Sequence, residues 1–445
     1  MTVIEEPRSL QSHLDAESRA IVDNCGQCGR CVEVCPVIPF SKAAGTESKQ
    51  VIGGIIDLLA GRSETLSAAS DEWASTCNGC GLCIPECPKE INPRKMLALV
   101  GAKQSAVSSK TPELFRRMSR SIKVLVGMQL IPAEFKKVFV PPRVRDVPIV
   151  FYLGCNALRT PHLLFNSMAL LDAVGADYEV VGGPSSCCGV IATKWEGQVK
   201  TGDRVTMNTI NRFEGFKPEK VLNWCPTCQI YLGETLDGYR RTSYDFDHVT
   251  DFLANRVEIM KPKFIRPLRK RAVVHAHVGR SDICSNVDTL LRAIPGFEIV
   301  ETVFESGYTC GGSGCAKAPK LAAKEHGELL QRTIDTGADM LVTLYHGCHQ
   351  TFIGAEKEGK FKVQNFTDVL VEALGETPHV DQMKSYRLMD DFQMIVDEAQ
   401  PFLKANGIEL DGEWLKQHGP SIFAGLEFNG QLECFGDPAY PEHKH

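Results

Sequence analysis

Eight cysteines near the N-terminus stand in two copies of one spacing. Residues 25–36 read CGQCGRCVEVCP and residues 77–88 read CNGCGLCIPECP, both C-x2-C-x2-C-x3-C-P. Thiolates so spaced ligate iron–sulfur cubes. The close triplet wraps three irons of one cube, and small residues between them let backbone N–H groups approach the sulfides. The fourth thiolate, past a turn set by proline, reaches the other cube. The expected wiring is Cys25, Cys28, Cys31 and Cys87 on one 4Fe–4S cube, with Cys77, Cys80, Cys83 and Cys35 on the second. A structural zinc would use only four of these thiolates, usually as two pairs. One-electron exchange between two cubes makes this segment a conductor rather than a reaction centre.

A second set lies further along the chain and is duplicated. PIVFYLGC ends at Cys155, SSCCG carries Cys187 and Cys188, and WCPTC carries Cys225 and Cys228. Adding 123 to each position gives Val278, Cys310, Gly311, Cys348 and Thr351, in the contexts VVHAHVG, TCGGSG and HGCHQT, with no gap needed. Five thiolates are one more than a tetrahedral zinc or an ordinary cube takes. They suit an unusual iron–sulfur cluster with one thiolate bridging. The alternatives are zinc on four of them, or a redox disulfide at Cys187–Cys188 or at the C-x-x-C.

These motifs account for 13 of the 18 cysteines in 445 residues. Cysteine at about four per cent is below the roughly 8–10% of a disulfide scaffold, and MTVIEEPRSLQSH does not read as a secretory leader. The expected setting is reducing and cytoplasmic, with metal explaining the thiols. No apolar run reaches the length of a membrane span, and a net charge of −6 argues against nucleic acid.

The elements that must position these cysteines can be read coarsely. A helix is expected over about 47–60, stopped by Gly61, within a helix-rich ferredoxin-type domain. Each later copy alternates strand and helix, which implies parallel βαβ units. Strands are expected at 148–154, 177–182, 220–224, 272–276, 298–303 and 339–345. Helices are expected at 162–174, 196–213, 286–293 and 316–335. The cysteines then fall just past strand C-termini, where α/β sheets place ligands. The fold class is multidomain: a helix-rich two-cluster ferredoxin domain (1–110), a basic connector (111–147), and two α/β, Rossmann-like repeats (148–265 and 266–375). A C-terminal tail follows (376–445). Residues 115–145 hold eight Lys/Arg against one Glu, interleaved with apolar residues. They are expected to pack on their own domains or dock a partner protein, with peripheral contact to the inner membrane face as the alternative.

The pattern C-x31-CCG-x35-CPTC resembles the CCG cysteine-rich domain found in the B and D components of heterodisulfide reductase. Related domains occur in glycolate oxidase iron–sulfur subunits, lactate utilisation proteins and the C component of anaerobic glycerol-3-phosphate dehydrogenase. With the two ferredoxin motifs in front, the chain resembles a fused C and B pair of the D type over about residues 20–370. The resemblance implies that Cys155, Cys187, Cys188, Cys225 and Cys228 hold a non-cubane 4Fe–4S cluster where thiols or disulfides react. It implies an oxidoreductase subunit passing electrons between that cluster and the two cubes. No flavin or nicotinamide motif is present, so the expected partner is a flavoprotein or another electron-transfer subunit, besides a small thiol or disulfide. The alternative is a relay between a flavin dehydrogenase (glycolate, lactate or glycerol-3-phosphate type) and a quinone.

The second copy departs from two-site relatives, because Val278, Gly311 and Thr351 replace three cysteines. It is expected to serve as a packing partner without metal. The alternative is a weaker site at Cys310 and Cys348, with zinc, drawing on His275, His277, Cys284, Cys315, His346 or His349. His275 and His277 are expected to face opposite ways along their strand, so that only one reaches the rim. CGGSGC (310–315) is read as a tight loop, Cys434 as an ordinary thiol, and Lys194 and Arg159 as basic groups that could steer an anionic substrate.

Overall fold

The computed structural model describes residues 9–107, 114–306, 318–389, 391–410 and 413. Its N-terminal part is helical: Leu10–Asn24, Ser48–Leu59, Ala68–Thr76 and Pro93–Val107. Ser9 and Ser67 cap the first and third of these by accepting the N–H of Ser12 and Ser70. Both capped helices end at a cysteine that leaves the helical conformation, Cys25 and Cys77. Each helix therefore delivers the first thiol of one motif. The helix Ser48–Leu59 fills the space between, burying Val51, Ile52, Ile55, Ile56 and Leu59, the stripe expected for 47–60.

Two four-stranded parallel sheets follow. The first holds β1 (Ile149–Gly154), β2 (Tyr178–Gly182), β3 (Lys220–Asn223) and β4 (Asp245–His248), ordered β2-β1-β3-β4. The second holds β5 (Arg271–His277), β6 (Glu298–Glu305), β7 (Met340–Thr343) and β8 (Lys362–Asn365), ordered β6-β5-β7-β8. The same order occurs twice, as a duplication requires. Central β1 is buried at every position, as a parallel strand covered by helices on both faces should be. β4 and β8 lie outside the expected strands. DFDH and KVQN are four-residue edge strands without an apolar run, so neither carries a strand signal.

The basic connector folds into the helices Leu114–Gly127 and Pro132–Phe139. Met118, Ile122, Leu125 and Met128 are buried, so this apolar side is spent inside the chain. Part of what covers it comes from the segment expected to be a tail. That segment contains the helices Gln382–Leu388 and Phe392–Ala405. Asn406 Nδ2 donates to the carbonyls of Gly127 and Leu130, and Tyr386 donates to the carbonyl of Met128. Residues 382–405 are thus structural rather than trailing. No helix among the described residues is long and apolar enough to cross a membrane.

Candidate metal centre

The first eight cysteines gather into two groups. Burial pushes the Cys31 thiol up to about 12, with Cys25, Cys28 and Cys87 adding like charge. Burial likewise raises Cys25, helped by Cys87 and Cys28. In the other group, burial raises Cys80 to about 12 and raises Cys35 and Cys83, with Cys77 adding in each case. Cys87 thus neighbours the first triplet and Cys35 the second. Cys28 is exposed, Cys80 is buried and the other six are half-buried, so the second group sits somewhat deeper than the first.

The five later cysteines converge on one buried spot past the C-terminal ends of β1, β2 and β3. Cys155 Sγ is 3.9 Å from Cys187 Sγ. Contact with Cys187 raises the Cys155 thiol and, from the other side, Cys188. Contacts with Cys188 and Cys225 raise Cys228. Cys187 is lowered, because Cys155 and Cys188 donate to it and the Gly189 N–H points at it from 3.5 Å. Two thiolates at 4 Å repel by about 4 kcal/mol at an effective dielectric near 20. Thiols this close can ionise together only around a cationic centre. The donor sets fit the expected groups in kind and number: two quartets, and one quintet that exceeds tetrahedral zinc.

The scaffold around the quintet is made by hydroxyls and glycines. Thr206 and Thr209, on the helix Val199–Gly215, donate to the carbonyls of Cys188 and Cys187 at 2.8 and 2.7 Å. Tyr152 of β1 donates to the Ser186 carbonyl at 2.9 Å, and the Cys228 thiol approaches its oxygen at 3.7 Å. His248, at the end of β4, joins its Nε2 to the Trp224 carbonyl at 3.1 Å and so holds the turn that presents Cys225. Gly189 has φ +93°, and a Cβ there would overlap the Thr206 hydroxyl and sit 2.9 Å from the Gly202 carbonyl. Left-handed backbone costs a side-chain-bearing residue about 1–2 kcal/mol before any overlap. Gly189→Ala is expected to lose the iron of the five-cysteine site while the two quartets keep theirs. Iron counting checks this, and an unchanged iron content would mean the CCG turn tolerates a side chain.

A cavity of about 70 Å³ joins the two parts of the chain. Cys77, Gly79 and Arg94 line it from the N-terminal part, and Cys155, Cys188, Cys225 and Cys228 from the sheet side. Arg94 bridges the halves, donating to the Gly79 carbonyl at 2.9 Å and pairing with Glu234 at 2.5 Å. Lys194 also lines the cavity. Burial lowers its pKa, whereas Cys77 favours its charge. Arg159 is buried, and its carbonyl accepts from Gln129. Sequence reasoning missed Arg94, Glu234, Tyr152 and His248, since only the fold brings them to the cysteines.

The second repeat holds a different arrangement. Cys310, Cys315 and the CGGSGC loop lie outside the described residues, as does Cys434. Cys284 donates to the His277 carbonyl, His346 reaches Asn156, and His349 pairs with Asp381 at 2.6 Å. Thr351 donates to the Gly347 carbonyl. His275 and His277 do not face opposite ways: their rings are 4.5 Å apart. Residues two apart complete one pleat and share a face, so the expectation had the strand parity reversed. Both approach Cys348, and His277 Nε2 is 2.9 Å from its Sγ.

Comparison with known families assigns both parts. Residues 21–91 match the 4Fe-4S dicluster domain, and residues 149–233 and 275–353 each match the CCG cysteine-rich domain. The chain is a CCG-domain iron–sulfur protein. This CCG-domain protein is 24% identical over 392 residues to the D component of dihydromethanophenazine:CoB–CoM heterodisulfide reductase from Methanosarcina barkeri, across 80% of this chain and 94% of that one. It is 25% identical to the B component of fumarate reductase (CoM/CoB) from Methanothermobacter marburgensis, across 82% and 78%. It is 23% identical to the "Probable glycolate oxidase iron-sulfur subunit" of Bacillus subtilis, across 84% and 99%. No solved structure matches the CCG-domain protein significantly.

Proposed function

We propose that the chain is the electron-transfer subunit of a heterodisulfide reductase-like complex acting on a thiol or disulfide substrate. Cys25, Cys28, Cys31 and Cys87 would hold one 4Fe–4S cube, and Cys77, Cys80, Cys83 and Cys35 the other. Cys155, Cys187, Cys188, Cys225 and Cys228 would hold a non-cubane 4Fe–4S cluster. When bound, these groups supply one-electron carriers and an iron able to take up a thiolate, the reactive form of a thiol.

The observation that carries the reading is the shared cavity, in which Cys77 of the inner quartet and four thiols of the quintet line one wall each. The positions of three of the chain's own features support an arrangement of the parts in series. Exposed Cys28 marks the end open to a partner protein, and Arg94 and Glu234 hold the inner quartet against the quintet. Lys194 puts a cation beside the cavity, where an anionic sulfur species would be drawn. A flavoprotein or other electron-transfer subunit is the proposed partner. The M. barkeri and M. marburgensis relatives are themselves named as reductase subunits, which supports this reading.

Iron and sulfide counting on anaerobically purified protein tests the assignment. About twelve irons per chain, four for each of three clusters, are expected. Eight irons in a protein whose five-cysteine site carries zinc would reduce it to a two-cluster protein and overturn the reading.

A further inference from the structure

Four buried polar side chains meet at the C-terminal end of β5, in the repeat that lacks the five-cysteine set. His275 and His277 come from the strand, Cys348 from the helix His346–Phe352, and Glu305 from the last residue of β6. One ligand atom from each of His275, His277 and Cys348 lies within 4.8 Å of the others. Glu305 Oε2 is 2.9 Å from His275 Nε2. All four are at most 8% exposed. His275 Nδ1 and Glu305 Oε1 are buried with no hydrogen-bond partner. Each such orphaned atom costs about 1–3 kcal/mol, a cost that a bound cation would remove.

We infer that His275, His277 and Cys348 form a mononuclear zinc site, with Glu305 holding the His275 ring in place. Two imidazoles and one thiolate make the borderline-soft set that zinc takes, with a water to complete the tetrahedron. The thiolate and carboxylate together neutralise a divalent ion inside the protein. Calcium or magnesium would want oxygen ligands throughout, and an iron–sulfur cluster would want more thiolates. Three protein ligands leave the fourth position to a water or another small ligand. His326 Nε2, 3.5 Å from Glu305 Oε2, orients the carboxylate.

The site has a mechanical consequence. β5 runs directly into Val278 and Gly279, and a Cβ on Gly279 would overlap the Cys80 carbonyl. Zinc bound to His275 and His277 therefore anchors the turn on which the Cys80 loop rests. The repeat has exchanged a cluster for a clamp. This inference stands apart from the proposed thiol chemistry, which concerns the other repeat.

The test is zinc and iron analysis of the full-length protein, purified anaerobically, with zinc K-edge X-ray absorption on the same sample. About one zinc per chain is expected, with one sulfur at about 2.3 Å and nitrogen or oxygen at about 2.0–2.2 Å. His277→Ala and Cys348→Ser are each expected to lose the zinc and retain the iron. The wild-type spectrum reads the ligands directly, so the inference is decided even where a variant does not fold. Absence of zinc from iron-replete protein overturns it, as do zinc held by four sulfurs and zinc retained by both variants.

Discussion

Cys188→Ala is expected to lose about a third of the protein's iron, falling from about twelve to about eight per chain, with the remaining clusters spectroscopically unchanged. Cys188 lies between Cys187 and Cys228 in the run of touching thiols, and it lines the cavity. Removing it divides the quintet into two separated pairs, Cys155 with Cys187 and Cys225 with Cys228. Neither pair alone can hold a four-iron group. The two quartets share no residue with this site and should load normally. Cys284→Ala serves as the control, because Cys284 donates only to the His277 carbonyl among its described hydrogen bonds. Equal iron in wild type and Cys188→Ala would remove the quintet as a cluster site.

The second large effect is expected at the junction. Arg94→Met should keep all the iron yet slow the passage of electrons between the inner quartet and the quintet. Arg94 is 7% exposed, and its guanidinium bonds the Gly79 carbonyl beside Cys80 on one side and the Glu234 carboxylate on the other. Hydrogen bonds to charged groups contribute about 1.5–3 kcal/mol. Losing that much shifts the balance between docked and undocked arrangements about ten- to a hundredfold. Stopped-flow oxidation of prereduced protein by a disulfide reads the step. Glu234→Gln should behave similarly, and the double variant should add little, because both remove one interaction. Unaltered kinetics in iron-replete Arg94→Met would show that the bridge does not hold the junction.

The parts of this molecule legible from sequence are those written in short-range spacing. Three-residue intervals between cysteines announce the quartets, and the constant offset of 123 announces the repeat, whose two sheets share one strand order. Long apolar strands such as Ile149–Gly154 are readable for the same reason. Edge strands β4 and β8 carry no such run and are not. The junction could not be read, because Arg94 and Glu234 are 140 positions apart and neither belongs to a motif. The C-terminal helices escape the sequence pattern because their partners, Met128 and Leu130, are supplied by a connector more than 250 residues away. The histidine pair is a different case. Its information is present in the sequence, and correct strand parity places His275 and His277 on one face beside Cys348.

The quintet is proposed to form a reactive cluster in electronic contact with the inner quartet. Titrating the oxidised, anaerobically purified protein with a small thiol, while recording its paramagnetic resonance, tests it most directly. A signal that changes with thiol concentration in wild type and is absent from Cys188→Ala is expected. A signal from iron-replete protein that ignores every thiol and disulfide would contradict the account and leave the chain a relay of electrons alone.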